Sequence, residues 1–259
     1  MTIQRRYFAL VCALICSVPQ AWAQGYPDRP VRIIVPYTPG GSTDLVARII
    51  AEPLGRALGK PVIVENKSGA GGMLGTQELA RATPDGYSLG IGTVSTMVIF
   101  PAVHPKPGYS IDQIWPITNI ATMPNIVAVR PNFPAKDLKE LIAVLKANPG
   151  KYSFATSGQG SINHMLGESF QSGAGVDINH IPYRGSGPAI QDVMSGQVDF
   201  MFDTTVVAGP HIQSGKLRAL AVTSAKRLTD SLTDVPAVMT SSMMTTLPLS
   251  GAPTNTPPS

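Results

Sequence analysis

Apolar and polar positions alternate between two rhythms along the chain. Val31 to Val35 is a short run dominated by Val and Ile, as expected of a strand covered on both faces. Leu45, Val46, Ile49, Ile50, Leu54 and Leu58 then recur at helical spacing, with Pro53 predicting a kink and Gly59 and Pro61 an end. Val62 to Val64 predicts a second strand, Leu74 to Ala82 a second helix closed by Pro84, Asp85 and Gly86, and Tyr87 to Ile91 a third strand. Repeated β-α-β units imply a largely parallel sheet with right-handed crossovers. Phe100 to Ser110, rich in Pro and Gly, reads as a loop. Ile117 to Ala121 and Ile126 to Val129 read as extended segments on either side of Thr122, Met123, Pro124 and Asn125, a crossing between two lobes.

A second α/β unit follows. Leu138, Leu141, Ile142 and Leu145 define a helix ended by Asn148, Pro149 and Gly150, and Tyr152 to Ala155 a strand. Ser161 is placed to cap a helix reaching Gln171. Ile178 to Ile181 predicts a strand, Pro188 to Met194 a helix, and Val198 to Phe202 and Leu217 to Val222 two more strands. Each strand hands over to a loop at its C-terminal end, where open α/β sheets bind ligands.

The chain's first residues change the picture of its compartment. Arg5 and Arg6 precede an apolar stretch from Tyr7 to Val18, and Ala21, Trp22 and Ala23 form a small-x-small site before Gln24. This pattern predicts a secretory signal peptide, residues 1–23, cleaved near Ala23 to leave a periplasmic protein of about 235 residues. Both cysteines, Cys12 and Cys16, lie in that peptide, so the mature chain is expected to have no disulfide, Cys nucleophile or thiolate metal site. Losing Arg5 and Arg6 lowers the formal charge from +4 to +2. Lys and Arg are scattered, which argues against a nucleic-acid partner. His104, His164, His180 and His211 show no i, i+4 pairing, so no metal is expected, and no cofactor motif occurs.

Three strand-to-helix turns carry the candidate chemistry: Tyr37, Thr38, Pro39, Gly40, Gly41, Ser42 and Thr43; Gly69, Ala70, Gly71 and Gly72; and Thr156, Ser157, Gly158, Gln159, Gly160 and Ser161. All three lack Lys and Arg. Helix starts carry unpaired N–H groups and the positive end of the macrodipole, so such turns hold an anion without fixed charge. The first turn lacks the Gly-Lys-Ser/Thr ending of a phosphate-cradling loop. Thr93 and Ser95 follow the third strand and line the same side as Gly72, and Asn125 sits at the crossing. Arg184 can pair with a ligand carboxylate or brace a loop against Asp203 or Asp199. Asp203 and Thr204 end a strand at the binding face, where an acid suits a ligand amino group or a pair with Arg184.

The stretches VRIIVPYTPGGSTDLVAR, VENKSGAGGMLGTQELARATPDGYSL, YSFATSGQGSINHMLGESF and HIPYRGSGPAIQDVMSGQVDFMFD, with Tyr26, Pro27, Arg29 and Pro30, resemble the Bug-type periplasmic solute-binding receptors of tripartite tricarboxylate transporters. The resemblance implies a two-lobed type II periplasmic binding protein fold, with lobe 1 at 24–122 and lobe 2 at 123–224. It implies a monomer closing on a small organic carboxylate that integral-membrane transporter subunits then accept. It also implies that His164, one turn into its helix, faces the same mouth as Ser157, Gly158, Gly160 and Ser161.

Alternative readings are a carboxylate sensor, a non-functional remnant and, more distantly, a secreted serine hydrolase. No GxSxG elbow frames Ser157, and no Asp or Glu is spaced to orient His164. The resemblance fades near Ser231. Residues 225–259 read as an atypical tail replacing the return to lobe 1, uncharged from Ala237 to Ser259, as though the C-terminal part were truncated or shifted in frame.

Overall fold

The computed structural model describes residues 25–224, 228 and 232–237. The expected signal peptide and most of the expected atypical tail fall outside these residues. The chain builds two sheets in succession. The first has three parallel strands in the order β2-β1-β3, formed by β1 (Val31–Val35), β2 (Val62–Asn66) and β3 (Ser88–Gly90). Central β1 is sealed on both faces, Val31, Ile33, Ile34 and Val35 being at most 1% exposed. Helix α1 (Ser42–Leu58) starts behind extended Gly41 and ends at left-handed Gly59, whose N–H bonds the Arg56 carbonyl. Pro53 is accommodated inside it. Helix α2 (Met73–Arg81) links β2 to β3.

The second sheet has the order β6-β5-β7-β4-β8, from β4 (Asn125–Val129), β5 (Ser153–Thr156), β6 (Asn179–Pro182), β7 (Phe200–Thr204) and β8 (Arg218–Val222). β5, β6 and β7 run parallel, but β4 is antiparallel to both β7 and β8, so the expectation of a largely parallel arrangement holds for only part of this lobe. The cause is the crossing. β4 begins there while β7 and β8 end there, with Asn125 opposite Thr204 and the Thr223 N–H donating to the Asn125 carbonyl at 2.8 Å. Strand alternation splits the core in two: Ile126, Ala155, Ile190 and Met201 on one face, Val127, Leu145, Phe154 and Phe200 on the other.

Two local expectations are corrected. The segment expected as a loop opens as helix: a π-helical turn, Ser95–Ile99, continues into α3 (Phe100–Val103), because Tyr109 packs back and its hydroxyl donates to the Thr96 carbonyl. Ile117 to Ala121 forms no strand, since no described strand runs beside it, and Trp115 and Ile117 stand 88% and 77% exposed.

Candidate ligand-binding site

The first-lobe turn is fixed from behind by an acid. Asp44, 2% exposed, accepts from the Gly40 N–H at 2.9 Å, Arg48 Nε at 3.0 Å and Asn66 Nδ2 at 2.9 Å. Burial alone would raise its pKa, but these donors outweigh burial and hold the carboxyl below its usual value. Asn66 also donates to the Tyr37 carbonyl at 3.1 Å. With the turn so held, no hydrogen bond among the described residues uses the N–H groups of Gly41, Ser42 and Thr43, which point from the positive end of α1.

The second-lobe turn joins β5 to α5 (Ile162–Ala174), whose cap, Ser161 Oγ, accepts from the His164 N–H at 3.2 Å. Its expected donors divide into two groups. The Ser157 hydroxyl donates to Asn163 Oδ1 at 2.9 Å, the Gly158 N–H to Thr156 Oγ1 at 3.3 Å and the Gly160 N–H to His164 Nδ1 at 3.2 Å. These bonds brace the turn from within. Among the described residues no hydrogen bond takes the N–H groups of Ser157 and Gln159. His164 is 8% exposed, as buried as Ser157 on the same turn, and is stacked on His180, with its Nδ1 taken up by the Gly160 N–H.

The two lobes meet along these turns. Gly185, at φ 149°, lies against Thr38, and a Cβ on Gly187 would sit 3.2 Å from the Pro39 carbonyl oxygen. Gly158, at φ 141°, lies so close to Gly71 that a Cβ would come within 2.9 Å of its Cα. Phe100 packs between Gly71 and Gly160, and the Ile162 N–H donates across to Ser95 Oγ at 2.9 Å. Gly72 abuts the Tyr37 ring, whose hydroxyl is 3.1 Å from Thr93 Oγ1; burial raises the Tyr37 pKa, keeping it a neutral donor.

Between these contacts the structure leaves Thr38 Oγ1 and Asn125 Oδ1 buried with no partner, while the Thr204 hydroxyl, which also lacks a well-aligned bond, lies close enough to the Asp203 carboxyl to act on it. An unpaired buried polar atom costs about 1–3 kcal/mol, so Thr38 at the contact between the lobes and Asn125 at the crossing are places where a polar guest would be stabilised. Asp203, 2% exposed, has its pKa pushed up to about 6 by burial, opposed by hydrogen bonds from the Ser186 hydroxyl and from the Thr204 N–H and hydroxyl. Among the described residues Arg184 braces its loop against neither Asp203 nor Asp199. Arg184 is exposed, and Asp199 instead accepts from Arg130 Nε at 3.3 Å. The two hollows of about 440 and 360 Å³ lie around Arg32 on lobe 1 and include no residue of these turns. No metal-holding cluster occurs among the described residues.

Sequence reasoning missed Asp44, Asn163, Phe100 and Ser186. Asp44 left a faint signal, an acid in the first turn of a helix four residues from Arg48. The others act through partners distant in sequence, as in the Asn163 Nδ2 donation to the Phe202 carbonyl at 2.5 Å.

Two α/β lobes that cross over at one edge and press amide-bearing turns together define a solute-binding protein of the type II periplasmic class. The chain belongs to the tripartite tricarboxylate transporter receptor family, whose model matches residues 46–259. It is 40% identical over 220 residues to Protein BugT of Bordetella pertussis, an alignment covering 84% of this chain and 66% of that protein. The chain thus spans about two thirds of that relative's length. Among solved structures it is similar to the periplasmic binding protein BugD, with 41% identity, a TM-score of 0.79 and coverage of 82% of this chain and 71% of that one. It is similar also to MatC of Rhodopseudomonas palustris with bound malate, at 34% identity, a TM-score of 0.80 and coverage of 85% and 74%.

Proposed function

We propose that this chain is a periplasmic receptor that captures a small organic carboxylate between its lobes and passes it to integral-membrane transporter subunits. The observation that carries this reading is the seam itself. Unused N–H groups stand at Gly41, Ser42 and Thr43 and at Ser157 and Gln159, and Thr38 Oγ1 and Asn125 Oδ1 are buried without a partner, with no Lys or Arg in either turn. Amides at a helix start suit a carboxylate, and two such turns suit an acid with two separated acceptor groups. The malate-bound relative supports that ligand class. Binding, not turnover, is the role. The Ser157 hydroxyl donates to Asn163 and not to a histidine, so no nucleophile–base pair supports a hydrolase. No helix among the described residues is long and apolar enough to cross a membrane, in keeping with delivery to a separate membrane partner.

Thermal unfolding of the mature chain against a panel of di- and tricarboxylates, acidic amino acids and aromatic acids tests this reading. Ligand at a hundred times its Kd adds about 2.7 kcal/mol of stability, so at least one acid should raise the Tm by several degrees in a saturable way. No shift with any acid, or turnover of an ester, would overturn it.

A further inference from the structure

Lobe 1 touches the second-lobe turn through the short helical segment that begins at Ser95. Phe100, further along it, packs against Gly160, and Ser95 Oγ accepts from the Ile162 N–H at 2.9 Å. Ile162 opens α5, so this N–H is one that the helix itself leaves without a partner. Among the described residues no other hydrogen bond joins 25–122 to 123–223. Ser95 is 2% exposed and is held from behind. Its hydroxyl lies close enough to the Tyr37 phenol to act on it, and that phenol is 3.1 Å from Thr93 Oγ1. The Thr93 N–H donates to Thr96 Oγ1 at 3.1 Å, and the Tyr109 hydroxyl donates to the Thr96 carbonyl. Gly72 closes the cluster, since a Cβ there would fall 2.9 Å from both Tyr37 Cζ and Thr96 Cγ2. Tyr37 is also the first residue of the first-lobe turn, its carbonyl accepting from Asn66 Nδ2 at 3.1 Å. A polar path therefore runs from the start of α5 in one lobe, through Ser95, to the start of the first-lobe turn in the other.

We propose that Ser95 is a positioning residue, the latch of lobe closure: its hydroxyl holds the first amide of α5 against the Tyr37 cluster, which brings the two amide-bearing turns face to face, and it acts through Ile162 without touching the guest. The inference deepens the carboxylate reading and rests on it for the choice of probe, while the latch rests on the bond between the lobes. The local backbone suits the role. Ser95 opens a π-helical turn, a rare conformation that is frequent at functional sites, and that turn sets Ser95 against α5 while Thr96 is fully buried in lobe 1. A latch differs from a ligand contact in what it controls. Loss of a residue that only touches the guest weakens binding but leaves the lobes shut once the guest saturates. Loss of a residue that joins the lobes leaves part of the population open even at saturation, because closure itself has become less favourable. The sequence places Ser95 beside Thr93 on the ligand side of lobe 1, and the two roles separate on this point.

The test uses the mature chain with nitroxide labels at Ala57→Cys and Ala147→Cys, both exposed and one on each lobe, no other cysteine being expected in that chain. Pulsed dipolar spectroscopy reads the distance between the labels without ligand and with saturating malate, and calorimetry reads malate affinity. The labelled parent should give one narrow distance with malate. Ser95→Ala should add a longer population that saturating malate does not remove, and should weaken malate about three- to tenfold, the range expected for one hydrogen bond. Tyr37→Phe should act in the same direction, and the two substitutions together should fall short of the sum of their single effects, since both break one path. Should Ser95→Ala fail to fold, Tyr37→Phe carries the test by the same distance readout. Parent-like distances in both variants, with and without malate, would overturn the proposal. So would weaker binding with parent-like closure at saturation, which would make Ser95 a ligand contact. Malate without effect on the parent in either readout would count against the carboxylate reading and not the latch. The ligand-free distances then decide: a longer population in Ser95→Ala sustains the latch, and an unchanged one overturns it.

Discussion

At Gly158 the two lobes come closest, and the backbone there adopts a φ of 141° that L side chains rarely reach. Gly158→Ala should weaken binding of the stabilising acid about tenfold or more, since strain of this kind costs about 1–3 kcal/mol. Calorimetric titration beside circular dichroism checks it, and a folded variant of unchanged affinity would show that the lobes do not close along this line. Two ionisable groups, half-buried His180 and buried Asp203, behave oppositely with pH. His180 lies near 4 when folded against its usual 6.5, so the unfolded chain binds the extra proton between these values and this group's contribution to stability falls as pH drops from 6.5 to 4. Asp203 lies near 6 against 3.8, so the folded chain binds the extra proton and its contribution falls as pH rises from 3.8 to 6. Relative to the parent chain, His180→Gln should tilt stability downward with rising pH between 4 and 6, and Asp203→Asn upward. Urea unfolding at pH 4.5 and 5.5 decides it, and parallel slopes in all three proteins would contradict the assignment. Glycines and hydroxyls at the strand ends were legible as residues, because turn chemistry is local. His164 and His180 were not legible as a pair, because strand pairing and not sequence spacing stacks their rings.

Helix starts do the work at the next scale up. α5 has Ser161 as its cap, and the same residue leads out of the turn proposed to face the ligand. Ser161→Ala should cost about 1 kcal/mol and lower the Tm by roughly 2–4 °C, with a larger loss in ligand affinity than in stability because the turn is freed as well. Differential scanning calorimetry with and without ligand separates the two effects. Helix periodicity exposed α1, α2 and α5, and apolar runs exposed β1, β5 and β7, their ends falling within about three residues of where they lie, with α5 running on from the expected Gln171 to Ala174. Strand direction is another matter. The period of two in Asn125 to Val129 is the same whichever way a neighbour runs, so antiparallel β4 could not be read from it. Pro101 and Pro105 made the segment after Ile99 look like loop, yet Pro is tolerated in the first turn of a helix such as α3.

Over the whole molecule, the apolar surface is distributed unevenly. The second lobe seals two core clusters around five strands, whereas the first has a smaller cluster, with Trp115, Ile117, Val98 and Val103 at least 60% exposed among the described residues. Exposed apolar patches drive association. Light scattering should show apparent mass rising with concentration, and Trp115→Ser with Ile117→Ser should lower that slope; a concentration-independent monomer in both would contradict it.

The proposed function requires that main-chain amides of two facing turns, without Lys or Arg in either, hold a carboxylate. Calorimetric titration with the most stabilising organic acid, run beside its uncharged amide analogue, addresses this most directly. One-to-one binding of the acid with at least a hundredfold loss for the analogue is the predicted result. Equal affinity for the two, or stoichiometric binding undiminished when Gly41→Pro and Gly158→Ala are combined, would contradict it.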